Sequence, residues 1–174
     1  IQQDWVNPGN VTASDDSRVT CALTGATPTA ATTEPLEITG FDFSSIPSGA
    51  TIDGFEVVVE RSVTSTSGSP RDFVLVLVGL TGTSSDKASA TTWPTSDGTA
   101  TYGGAADKWG FTTPSVAEVK ASTFGLRISA QVNTGEGIST TVRIDFATIT
   151  VHYTGGADDE SSSSSVSSVS SASS

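Results

Sequence analysis

Apolar and polar residues alternate with a period of two along most of this chain, and few folds accept that pattern. Val19, Cys21 and Leu23 alternate with Thr20, Ala22 and Thr24, and Leu36 and Ile38 with Glu37 and Thr39. Phe41 and Phe43 flank Asp42. Phe55, Val57 and Val59 share one face, and Arg61 and Val63 continue the same parity. Phe124, Leu126, Ile128, Ala130 and Val132 oppose Arg127, Ser129 and Gln131. A helix repeats every 3.6 residues, whereas a strand repeats every two. These runs therefore predict half-buried antiparallel strands, apolar on one side and wet on the other.

Two segments break the alternation. Phe73, Val74, Leu75, Val76, Leu77 and Val78 are all apolar, so both faces of that strand are expected to be covered. In a sandwich one face meets the core; the other needs a loop, the N-terminal arm or a second subunit. In the last strand Val142, Ile144 and Phe146 hold one parity and Ile149, Val151 and Tyr153 the other. That predicts a β-bulge near Ala147-Thr148, because one extra residue exchanges the faces. Between Ile46 and Gly54, Pro47 fixes φ, glycine permits positive φ, and the tight connection delivers Phe55 into a core strand. Gly68-Ser69-Pro70 marks another turn. Only Ser115–Ala121 reads as helix, with Ser115 as N-cap and Glu118 at capping-box spacing.

The expected fold is all-β: an antiparallel two-sheet sandwich of jelly-roll type with about seven to nine strands. It occupies residues 1–154. Residues 155–174 open with Gly155-Gly156 and the acidic run Asp158-Asp159-Glu160, then become almost entirely Ser. Such a low-complexity tail buries too little apolar surface to offset its ordering entropy, and reads as a linker or spacer. Ordering against a neighbouring subunit, or carrying O-linked sugars, are the alternatives.

Composition narrows the function. The 174 residues carry a net charge of -11 and no basic run, which argues against nucleic acid as partner. No apolar stretch is long enough for membrane insertion as a helix. One Cys (Cys21) and one His (His152) exclude an internal disulfide and a Cys/His zinc site, and no cofactor motif is present. Ser and Thr make up about a third of the chain, and charged residues only 16%, against about 25% in average domains. The chain opens at Ile1 and holds no Met. That fits removal of a leader or a start within a longer protein, and the former suits an extracellular or virion location.

Trp5-Val6-Asn7-Pro8-Gly9-Asn10 and Asp15-Asp16 open an ordered set of motifs that Phe41 to Val57 continues. Trp93-Pro94, Tyr102-Gly103-Gly104, Asp107-Lys108-Trp109-Gly110, Ser122 to Leu126 and Ile149 to Thr154 complete it. In this order they resemble a β-sandwich domain that recurs in phage virion proteins and bacterial surface or fibre proteins. The resemblance implies a structural module at an exposed surface and brings no catalytic residues.

Catalysis finds no support in the residues themselves. His152 alternates with Val151 and Tyr153 in a strand, no nucleophile-elbow spacing occurs, and Cys21 sits on an apolar face as an inert thiol. The chain is not expected to be an enzyme. Asp15, Asp16, Asp97 and Asp107 are hard oxygen donors, of which the 97–107 loop suits calcium best, but none lies in a calcium-loop pattern, so no metal is expected. Trp93, Tyr102 and Trp109 lie in an apparent long loop from Thr81 to Pro114 and are candidate glycan contacts; the two indoles serve equally as core lids. Ile1, Gln2, Gln3, Asp4, Trp5 and Val6 form a candidate donor strand, which either pairs in its own sheet or adds to a neighbour's edge. The Asn10-Val11-Thr12 sequon reads as chance. The expected function is a non-enzymatic structural subunit, a filament subunit or a virion fibre or decoration protein, that works as a homo-oligomer or polymer. The alternative is a carbohydrate-binding module tethered by its Ser-rich linker.

Overall fold

Long runs of β-branched residues with alternating polarity build two extended strands, Thr51–Val63 (β5) and Ser139–Thr154 (β9), which pair antiparallel at the centre of one sheet. The computed structural model describes residues 2–25, 29–156, 162–166 and 171–173. Before β5 come Gln2–Gln3 (β1), Val19–Thr24 (β2), Thr32–Thr33 (β3) and Leu36–Thr39 (β4). Between β5 and β9 lie Arg71–Val78 (β6), Gly98–Gly104 (β7), the helix Val116–Val119 (α1) and Gly125–Gln131 (β8). β7 and β9 flank β5, and β2 lies on the far side of β9. In the second sheet β8 is central, with β6 on one side and β3 and β4 on the other. β1 joins β3 in the one parallel pairing among the described residues. Ser162–Val166 (β10) runs antiparallel to Ile149–Tyr153 of β9, and Ser171–Ser173 (β11) beside β4. The acidic run Asp158-Asp159-Glu160 lies outside the described residues.

The two sheets enclose one apolar core, as the alternation requires. Phe55, Val57 and Val59 of β5 and Leu126, Ile128 and Ala130 of β8 are fully buried. The Phe124 ring lies 5.6 Å from Phe43 and 5.7 Å from Phe55, tilted against both. Burying each such side chain contributes about 1.5–3 kcal/mol.

The expected bulge in β9 exists, two residues earlier than the pattern suggests. Glu60 faces Phe146 and Arg61 faces Ile144, leaving Asp145 as the extra residue. Phe146 therefore sits on the outer, half-exposed face; its apolar character had aligned it with the wrong side. A second bulge on β5 falls at Asp53, and a third on β6 at Phe73, between Asp72 and Val74. Gly54 does not use positive φ. It is needed for close approach, since a Cβ there would lie 2.5 Å from the Gly104 and Ala105 carbonyl oxygens. The helix forms as expected: Ser115 Oγ accepts from the Glu118 N–H and Glu118 accepts from the Ser115 N–H.

The 81–114 segment is not one loop. β7 lies within it, an edge strand of sequence Gly-Thr-Ala-Thr-Tyr-Gly-Gly with Tyr102 alone buried. An edge strand contributing one large side chain to the core leaves almost no alternation to detect. Gly103 (φ +74°) brings β7 against its neighbours; a Cβ there would meet the Phe55 carbonyl oxygen at 2.3 Å.

Candidate functional site

β6 stacks over β7 at one lateral edge of the sandwich, and the side chains between them form a buried polar cluster. Arg61, on the core face of β5 by its parity, is 4% exposed, and Asp72, just before the β6 bulge, is 3% exposed. Arg61 Nη1 donates to Asp72 Oδ1. Three further donors converge on the same carboxylate: Trp93 Nε1, Tyr102 Oη and the Ser89 N–H, each at 2.8 Å. The Arg61 guanidinium carbon lies 5.0 Å from the Trp93 ring centroid and 5.6 Å from that of Tyr102. Burial, and the Asp72 carboxylate beside it, push the Tyr102 hydroxyl well above its ordinary pKa. Asp72 is thus saturated with donors, whereas Arg61 Nε is buried without an acceptor. Above the cluster opens a cleft of about 380 Å³. Arg61 and Tyr102 line it from below, and Ser89, Thr91, Thr92 and Thr101 are among its walls.

The β6 edge is closed to further strands. Asp86 Oδ1 accepts from the Leu75 N–H at 2.9 Å and Ser84 Oγ from the Leu77 N–H at 3.0 Å. The Lys87 N–H donates to the Leu75 carbonyl at 2.8 Å. Side chains thus occupy backbone groups that an added strand would need. The loop covers the edge of β6, not its outer face. Leu75 and Leu77 are buried inward, Val74, Val76 and Val78 are half-buried outward, and the bulged Phe73 is 45% exposed.

Trp93 and Trp109 are fully buried and present no ring face to solvent. Trp109 Nε1 donates to the Phe55 carbonyl at 2.9 Å, so this indole closes the end of the core. Of the three candidate glycan aromatics only Tyr102 lines the cleft. Gln2 and Gln3 pair with Thr32 and Thr33 of the same chain, Trp5 is buried with its Nε1 donating to the Glu34 carbonyl, and Val6 bridges Thr20 of β2. Asp4 is exposed between them, and Ile1 lies outside the described residues. Val6 is 55% exposed.

Among the candidate acidic residues, Asp16 pairs with Arg18 and Asp15 accepts from the Ser17 N–H at 2.9 Å. Asp97 accepts from Arg18 and from Ser62 Oγ, and these bonds hold its carboxyl below the usual range. Burial raises Asp107, but Lys87 and the Trp109 N–H outweigh it, and its carboxyl also falls below that range. Asp145 is 1% exposed, and burial raises its carboxyl. No acidic group among the described residues has metal-holding geometry. Cys21 is buried, and desolvation pushes its thiol up to about 12. His152 is half-buried on the outer face of β9, paired with Gly54.

Sequence reasoning missed Asp72 as the centre of the cluster. Its signal was the core-face parity of Arg61, because a buried guanidinium requires a buried carboxylate. No known protein family, curated protein or solved structure matches this chain.

Proposed function

We propose that this chain is a non-enzymatic structural subunit of an extracellular assembly, a filament or a virion fibre or decoration, joined through the lateral edges of a jelly-roll-like sandwich. One observation carries the reading: the two exposed large apolar residues among those described, Val6 and Phe73, lie at opposite lateral edges. Val6 flanks β2 at one end of its sheet, and Phe73 bulges from β6 at the far end of the other. An apolar residue on each edge fits a head-to-tail contact, and a contact of that kind that does not close on itself propagates as a filament. Residues 2–6 contribute through exposed Val6, since Gln2 and Gln3 already pair within their own chain. The roll topology is supported by the pairings in residues 2–156, none of which joins successive strands. Negative-stain electron microscopy tests the proposal. The chain should form ordered oligomers or filaments, and Phe73→Lys should abolish them while Thr113→Lys, an exposed control away from both edges, does not. Monomers in all three samples would refute it.

A further inference from the structure

We infer that the cleft over Arg61 and Tyr102 is a binding site for a neutral saccharide, about one or two sugar rings in size. Its volume of about 380 Å³ falls at the lower end of the range of ligand clefts. Its walls are rich in hydroxyls that donate and accept, from Ser89, Thr91, Thr92 and Thr101. The wall is pre-ordered: the Ser89 N–H is tied to Asp72, Ser89 Oγ donates to Thr91 Oγ1 at 3.1 Å, and the Thr91 N–H donates to Ser89 Oγ at 3.2 Å. Beneath it Arg61 Nε is a buried donor with no acceptor in the protein. Such a group is rare in native structures and is expected to have a partner. Arg61 itself lines the cleft, and a small shift of its side chain on binding lets a sugar hydroxyl supply that acceptor.

Charge selects the ligand class. Asp72 already neutralises Arg61, so an anionic sugar would place a second negative charge beside the pair. The net charge of -11 further disfavours anions. Recognition therefore rests on hydroxyls and the guanidinium, not on stacking against Trp93 or Trp109, which are buried. The cleft shares its lateral edge with Phe73, but its recognition rests on Arg61 and the hydroxyl walls and not on that side chain.

The test is an amide-resolved NMR titration of the full chain with lactose, maltose and cellobiose, and with glucuronate as the anionic comparison. At least one disaccharide should shift the amides of Ser89, Thr91 and Thr101 with a Kd in the millimolar range. Thr91→Trp, at an exposed position, should fill the cleft and abolish those shifts. Arg61→Lys keeps the charge beside Asp72 but loses Nε, and should weaken binding about tenfold. If Arg61→Lys fails to fold, Thr91→Trp alone decides. No localised shift with any disaccharide, a response to glucuronate only, or shifts that persist in Thr91→Trp would each overturn the proposal.

Discussion

Asp72 and Arg61 form one ion pair, yet removing either should not cost the same. Asp72→Ala strands a guanidinium that is 4% exposed and leaves Trp93 Nε1 and Tyr102 Oη without their acceptor. An uncompensated buried charge costs about 3–5 kcal/mol. Arg61→Met leaves a carboxylate that still accepts from Trp93, Tyr102 and the Ser89 N–H, so its loss resembles that of a single charged hydrogen bond, about 1.5–3 kcal/mol. At roughly 2–4 °C per kcal/mol for a chain of this size, Asp72→Ala should lower Tm by roughly 6–20 °C and Arg61→Met by about half as much. Urea unfolding followed by tryptophan fluorescence and far-UV circular dichroism measures both free energies, with coincident transitions as the check on two-state behaviour, and thermal melts measure the Tm shifts. Arg61→Met costing as much as Asp72→Ala would refute the reasoning. The cation stacked on Trp93 and Tyr102 would then organise the cluster, not the carboxylate.

Four further outcomes follow from the same geometry. Asp86→Ala with Ser84→Ala frees the Leu75 and Leu77 N–H groups on the β6 edge, and light scattering should show faster aggregation than in the wild type. Cys21, held up to about 12, should resist a thiol reagent at pH 8 in the folded chain and react fully in urea. Asp145 has a raised folded pKa, so its ionised form opposes folding at neutral pH and the penalty vanishes as pH falls and the carboxyl protonates in both states. Asp145→Asn should therefore raise Tm at pH 7 and leave it unchanged well below pH 4. Glu118 is lowered from 4.5 to about 2, first by the Ser115 hydroxyl; its stabilisation holds above 4.5 and is lost as pH falls toward 2, so Glu118→Gln should blunt that part of the acid dependence.

The strands that form the core were legible because a two-residue period with β-branched side chains has one reading. The Ser115 cap was legible because its signal lies within four residues. β7 escaped because it buries a single large side chain, Tyr102, between glycines and threonines. The bulge was misplaced because Phe146 is apolar on an outer face, and side-chain chemistry alone does not distinguish an outward-facing Phe from an inward-facing one. Phe73 to Val78 reads as a strand covered on both faces, yet its outer valines are half-buried and its edge, not its face, is guarded by Ser84 and Asp86. The Arg61–Asp72 pair was half legible. Arg61 stood at a core parity, but its partner lies across the sandwich on the other sheet, a distance that periodicity does not encode.

The central claim is that Val6 and Phe73 mark the two ends of a repeating contact, and sedimentation velocity over a concentration series tests it most directly. With a net charge of -11, copies repel one another, and salt screens that repulsion. The wild-type chain should sediment faster as concentration rises, more so in high salt than in low, while Phe73→Lys and Val6→Lys stay monomeric under both conditions. A wild-type chain that remains monomeric throughout, or variants that associate as well as it does, would contradict the account.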